Sequence, residues 1–266
     1  MSTILDTIVA AKRKEIEKFK PLSSVERFEK EGFFWNFSNR SLKQHLLAEG
    51  STGIIAEFKR KSPSKGWFTD PGLEVEPVVK YYNSLGAAAI SVLTDKEFFG
   101  GDLDDLIQTK VITDVPVLRK DFMIDPWQIA EAKAFGADII LLIAACLTPQ
   151  EVQSMASYAK SIGLEVLLEL HEESELEHIC DETDIIGINN RDLKTFTVDI
   201  ERSLRMAEKI PSNKIKVAES GISSVENIQL FKQNGFKGFL IGENFMKEKN
   251  PGESFGEFVG QLENSR

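Results

Sequence analysis

Basic charge is scarce in this chain: 32 Lys and Arg stand against 42 Asp and Glu, for a formal net charge of −10. Binding a phosphate backbone needs a basic surface, so nucleic acid is excluded as the main partner. Any anionic ligand must instead meet a local basic cluster, and Lys59-Arg-Lys61 is the best candidate. Cysteine is nearly absent. Cys146 and Cys180 stand in no metal-ligand spacing, which suggests a reducing compartment. Long apolar runs are missing too: the strongest, Ile139–Leu147, is nine residues, far short of a bilayer span. Asp6 and then Lys12-Arg-Lys-Glu15 break any signal-peptide pattern, so a cytoplasmic protein without membrane contact is expected. The three histidines form no carboxylate cluster at ligand spacing, and no metal is expected.

What is present is a rhythm. Short aliphatic or β-branched runs occur at 53–58, 88–93, 115–119, 138–143, 164–170, 184–188, 214–219 and 237–241. Each precedes a segment with helical periodicity, at the ~20–35-residue repeat of a strand–helix unit. Near-continuous apolar strands are buried on both faces, which means a parallel sheet. Gly86, Gly136, Gly163 and Gly235 sit just before strands, where a left-handed residue ends the preceding helix. Asp125-Pro126 and Thr148-Pro149 open helices with a cap and a first-turn proline. Eight such units point to an α/β fold, a (β/α)8 TIM barrel. The alternative is an open doubly wound sheet, but no Gly-x-Gly-x-x-Gly follows the first strand.

The first fifty residues differ. Ile4, Leu5, Ile8, Val9, Ile16 and Phe19 fall at helical spacing up to Pro21, and a second helix is expected over 41–49. Residues 1–50 read as a helical extension packed on a barrel formed by 51–266, one structural unit overall.

Active sites of such barrels lie at the carboxyl ends of the strands, so the polar residues there are the candidates. The first strand presents Glu57 and Lys59, on one face by the two-residue period. Burying an acid and a base together is costly; a surface charge run is the competing reading. The third strand adds Arg119, Lys120 and Asp121, of which Arg119 and Asp121 are expected toward the helix layer. The fifth adds Glu169 and His171, with His171 read as facing away from Glu169. The sixth offers Asn189, Asn190, Arg191 and Asp192, and the seventh ends in Glu219-Ser-Gly221. Two lysines and two glutamates at one mouth form either an acid–base set or a structural ion-pair lattice. Like charges lower a lysine pKa and a paired carboxylate raises it; a lysine tuned down would serve as general acid near neutrality. Ser220-Gly221 and Gly242-Glu243 have two open readings, a backbone phosphate cradle aided by Ser62 and Arg191, or plain turn chemistry. Phe99 and Phe122 either line an aromatic pocket or pack in the core.

The segments Ile54-Ile-Ala-Glu-Phe-Lys-Arg-Lys-Ser-Pro-Ser64, Ser91-Val-Leu-Thr94, Leu118-Arg-Lys-Asp-Phe122, Gly187-Ile-Asn-Asn-Arg-Asp-Leu193, Val217-Ala-Glu-Ser-Gly-Ile222 and Phe239-Leu-Ile-Gly242 resemble, in order and spacing, the indole-3-glycerol phosphate synthases of tryptophan biosynthesis. The resemblance implies a cofactor-free carbon–carbon lyase acting on 1-(2-carboxyphenylamino)-1-deoxyribulose 5-phosphate. It implies Lys120 as the acid of ring closure, Lys59 as carboxylate anchor and acid of dehydration, and Glu169 as stabiliser or base. Glu57 would orient Lys59 or act as base, Asn189 would hold the pair in register, and Ser220 completes the catalytic set. Phe99, Phe122, Leu141 and Leu193 would bed the aromatic ring. Ser62, Arg191, Gly221, Gly242 and Glu243 would bind the rest of the substrate, chiefly its phosphate. Some relatives carry serine at the position of Glu243, so this carboxylate must turn away from a phosphate. The expected assembly is a monomer with at most weak contacts to other tryptophan-pathway enzymes. Two further readings remain: a related phosphoribosyl-anthranilate isomerase, whose Cys–Asp pair is not matched here, and a silent barrel that binds a phosphorylated ligand or a partner.

Overall fold

Alternation along the first barrel strand, Ile54–Phe58, decides the layering. In the computed structural model, which describes residues 3–192 and 197–265, Ile54, Ala56 and Phe58 join the layer between sheet and helices. Ile55 turns inward to meet Leu118, Leu141, Leu167, Val217 and Leu240 on the barrel axis. The two-residue period then carries Glu57 to the inner face one step nearer the carboxyl end.

Seven more strands follow, at Ala89–Leu93, Val117–Lys120, Ile139–Ile143, Glu165–Leu170, Ile185–Asn189, Ile215–Glu219 and Phe236–Ile241. Each lies within two residues of its expected bounds. Every strand pairs in parallel with its neighbours in sequence, and the eighth closes on the first through Ile54 opposite Phe239. A separate two-residue hairpin, Lys61–Ser62 with Gly66–Trp67, folds the loop after the first strand.

Helices Val75–Ser84, Leu103–Ile112, Pro126–Ala134, Pro149–Ser161, Ile200–Ala207, Val225–Gln233 and Pro251–Asn264 form the outer ring. Asp125 and Thr148 both build capping boxes ahead of proline, and Gly136 and Gly163 take φ of +97° and +85° just before strands. The fifth unit departs from the expected periodicity. Its crossover is a 3-10 segment, Glu173–His178, because this short acidic stretch offers few apolar positions for an amphipathic helix.

The N-terminal helix, Ile4–Phe19, starts at a Thr3–Asp6 capping box. The helix expected at 41–49 is Leu42–Leu47 with Ser41 as cap; Leu42 and Leu46 enter the inner cluster with Ile55, Ala89 and Ile139. A third helix, Val25–Glu31, lies where the sequence pattern predicts none. It lays Phe28 against Trp127, Ala130 and Ala134, a tertiary contact that outweighs a short and weakly patterned segment. No helix among the described residues is long and apolar enough to cross a membrane.

Candidate active site

The strand ends open into a cavity of about 390 Å³. Its floor is ionic. Lys120 Nζ lies 2.6 Å from Glu169 Oε2 and 2.9 Å from Glu219 Oε2. Asn189 Nδ2 donates to Glu169 Oε1 at 3.0 Å. Lys59 Nζ donates to Glu57 Oε1 at 2.5 Å, and Ser91 Oγ approaches the other Glu57 oxygen at 3.5 Å. Two glycines make room for these acids. A Cβ on Gly242 would come within 2.6 Å of Glu57 Oε1, and one on Gly187 would run into Glu219 Oε1.

Charge in this cluster follows from burial and pairing. Burial alone would lower the Lys120 pKa, but Glu169, Glu219 and Glu57 outweigh it and hold the ammonium above the ordinary lysine range. The expectation of a lysine tuned downward is therefore reversed in the free site: carboxylates, not cations, surround it. Burial raises Glu169, yet Lys120 and His171 bring it well below the usual carboxylate range. Burial and the nearby Glu169 leave Glu219 raised despite Lys120. Two carboxylates sharing one cation in a dry site are driven apart in this way.

Around this floor the cavity is apolar on one side. Phe99 and Phe122 face each other with ring centroids 5.9 Å apart; Leu141 lies beneath, and Ile4, Leu5 and Ile8 of the N-terminal helix form part of the wall. Opposite them stand Ser62, Arg191, Ser220, Gly221, Gly242 and Glu243. Ser220 and Gly221 both take left-handed φ, +67° and +69°. Asn190 Nδ2 braces that turn by donating to the Ser220 carbonyl at 2.7 Å. The Glu243 carboxylate turns to Lys65, 2.6 Å away, and Arg191, 3.6 Å away. Leu193 lies outside the described residues.

Arg119 points away from the cavity, whereas Asp121 is part of its lining. Arg119 bonds Thr94, Asp121 and Glu131 behind the sheet. Asp121 accepts Lys12 of the N-terminal helix at 2.9 Å, and Lys12 also reaches Asp95 at 3.2 Å. Cys146 is half-buried, and burial with Glu169 and Glu175 pushes its thiol up to about 12, so it is no nucleophile.

Two residues stand differently in the structure than the sequence suggests. Against the expectation that it faces away, His171 places its Nε2 3.0 Å from Glu169 Oε1. The rule that aligned Glu57 with Lys59 applies equally to positions 169 and 171. Glu219, at a strand end with no chemical signature of its own in the sequence, is buried beside Lys120 in the floor. A glycine within the adjacent strand, Gly187, was the available signal. Among the described residues no group of three or more His, Cys, Asp or Glu is placed to hold a metal ion.

The family model for indole-3-glycerol phosphate synthase matches residues 5–258. The chain belongs to the indole-3-glycerol phosphate synthase family. A synthase of that name from Bacteroides thetaiotaomicron is 46% identical over 263 residues, covering 99% of this chain and 100% of the relative. Those from Koribacter versatilis and Variovorax paradoxus are 41% and 40% identical, covering 98% and 96% of this chain and 100% and 98% of the relatives. In fold the chain is similar to 3-hexulose-6-phosphate synthase, with a TM-score of 0.61 at 14% identity over 80% of this chain and 99% of that one. It is likewise similar to thiamine phosphate pyrophosphorylase from Pyrococcus furiosus, with a TM-score of 0.60 at 16% identity over 84% of this chain and 98% of that one. As an indole-3-glycerol phosphate synthase family member, the chain is a decarboxylating lyase of tryptophan biosynthesis.

Proposed function

We propose that Lys120 is the general acid with which this barrel converts 1-(2-carboxyphenylamino)-1-deoxyribulose 5-phosphate to indole-3-glycerol phosphate, carbon dioxide and water. The supporting observation is the position of its Nζ, fixed by Glu169 and Glu219 in the cavity that Phe99, Phe122 and Leu141 also line. The anthranilate ring lies on that bed and its carboxylate pairs with Lys59. The phosphate sits at the backbone N–H groups of Gly221, Gly242 and Glu243, with Ser62 and Arg191 beside it.

In the first stage the ring carbon bearing the carboxylate attacks the ketone carbon, and the carbonyl electrons pass to oxygen. That oxygen becomes more basic than an amine, so Lys120 protonates it even though its neighbours hold the proton firmly. Glu169 faces the positive charge spread over ring and nitrogen. Carbon dioxide then leaves, returning its bonding electrons to the ring. In the second stage Lys59 protonates the new hydroxyl, which departs as water while Glu57 or Glu169 takes a proton from the adjacent carbon. Asn189 keeps Glu169 in register, and Ser220 anchors the turn beside it.

The test is to add this substrate to pure protein and follow indole fluorescence together with carbon dioxide release. Turnover is expected; a folded protein that releases neither product would sink the reading. We also take the chain to work as a cytoplasmic monomer, because its own N-terminal helix supplies Ile4, Leu5 and Ile8 to the cavity wall. Sedimentation equilibrium checks this, with a single species at the 29.8 kDa chain mass expected.

A further inference from the structure

His171 is 4% exposed and lines the cavity. Its Nε2 is 3.0 Å from Glu169 Oε1 and its Nδ1 is 3.9 Å from Glu175 Oε2. Neither ring nitrogen makes a hydrogen bond of regular geometry among the described residues. A buried imidazole between two carboxylates is costly unless it serves one of them. Glu175 is already engaged, since its Oε2 accepts the backbone N–H of His171 and of Glu172 at 2.5 and 3.0 Å. Glu169 is the partner whose state the imidazole can change.

We propose that His171 is a positioning residue for Glu169, holding its Oε1 beside the Asn189 amide so that Oε2 stays on Lys120, and that imidazole titration sets how basic Glu169 is. The proposal rests on the part assigned to Glu169 above. The groups facing the imidazole are Glu169 from the fifth strand, Glu175 from the 3-10 segment and Glu219 from the seventh strand. Lys120 from the third strand acts on it through Glu169, and Cys146 near the fourth strand is a neutral thiol. Burial lowers the imidazole pKa, but the three carboxylates outweigh it and raise it above the ordinary value.

With His171 protonated, Glu169 faces two cations and is a poor base. As pH rises the imidazolium loses its proton, Glu169 keeps only Lys120, and its basicity recovers. Turnover therefore climbs through the titration of His171.

Two measurements decide the matter. The first is the pH profile of kcat/KM, which reports groups of the free enzyme. Wild type is expected to show an acid limb with an apparent pKa above about 6.5. His171→Gln keeps an amide donor that does not titrate and is expected to abolish that limb; a limb left in place would overturn the proposal. His171→Ala, which removes the donor altogether, is expected to lower kcat about 10- to 100-fold with KM changed only a few-fold. The second is an NMR titration of the His171 imidazole, which needs no turnover. Its pKa is expected above about 6.5 in wild type and to fall by about one unit or more in Glu169→Gln. An unmoved pKa would refute the coupling. If the pKa falls but Glu169→Gln turns over substrate like wild type, the fault lies with the part assigned to Glu169 and not with the His171 contact.

Discussion

Lys120 is fixed by two carboxylates at 2.6 and 2.9 Å and so cannot be replaced by any uncharged side chain of similar reach. Truncation by Lys120→Ala is expected to lower kcat by at least ~10²-fold, the scale of a lost general acid. Steady-state kinetics on the folded variant checks this, and a drop of only a few-fold would place the acid elsewhere. Glu219 can be tested without touching it. Gly187→Ala would push a methyl group into its Oε1, swinging the carboxylate off Lys120. The expected result is a kcat loss of about 10- to 100-fold with destabilisation of about 1–3 kcal/mol from overpacking, read by kinetics and urea unfolding on the same samples. Wild-type kcat in that variant would mean that Glu219 merely fills space. At this scale the sequence was informative for residues on strand ends with obvious chemistry. It was poor for Glu219, whose part depends on Lys120 arriving from a strand 99 residues away.

At the scale of elements, the N-terminal helix contributes more than a wall. Lys12 is 1% exposed on its inner face and pairs with Asp95 and Asp121, whose chain neighbour is Lys120. Breaking a buried pair leaves uncompensated charge, at about 3–5 kcal/mol. Lys12→Met, which preserves much of the volume, is expected to lower the unfolding free energy by that amount and to raise KM, because Ile4, Leu5 and Ile8 lose their anchor over the cavity. Urea unfolding and substrate titration check the two effects; a stability within 1 kcal/mol of wild type would show the lattice to be dispensable. The helix itself was legible from its apolar period and its Asp6. The tether was not, because a lysine at position 12 looks like any solvated lysine until the barrel top supplies two carboxylates.

For the whole molecule, the buried charges predict how stability varies with pH. Burial would raise Asp121, but Lys12 and Arg119 hold it well below the carboxylate range, and Lys120 and His171 do the same for Glu169. A depressed pKa contributes stability above the unfolded value and loses it as pH falls, so stability should drop below about pH 4. His171 and Glu219 are both raised. Their contribution is fully present below the unfolded values and is lost as pH climbs from those values through the folded ones, so stability should decline from about pH 4.5 through Glu219 and further from about pH 6.5 through His171. Urea midpoints across this range are expected to peak at about pH 4–5. Asp121→Asn should flatten the acid side; an unchanged acid slope would assign that loss to other carboxylates.

The eight-strand repeat, the closed barrel and the strand ends at which the charged residues stand were determined by sequence alone. Period-two burial, helix caps and glycine stops are local properties, written into each segment by its own residues. Which charged groups meet was decided only by the tertiary structure. Closing the barrel brings Lys120, Glu169 and Glu219 to one point and buries Lys12 of the N-terminal helix against Asp95 and Asp121. Pairing energies and pKa shifts depend on distances of a few ångströms in a dry interior, and those distances do not exist until the eighth strand has paired with the first.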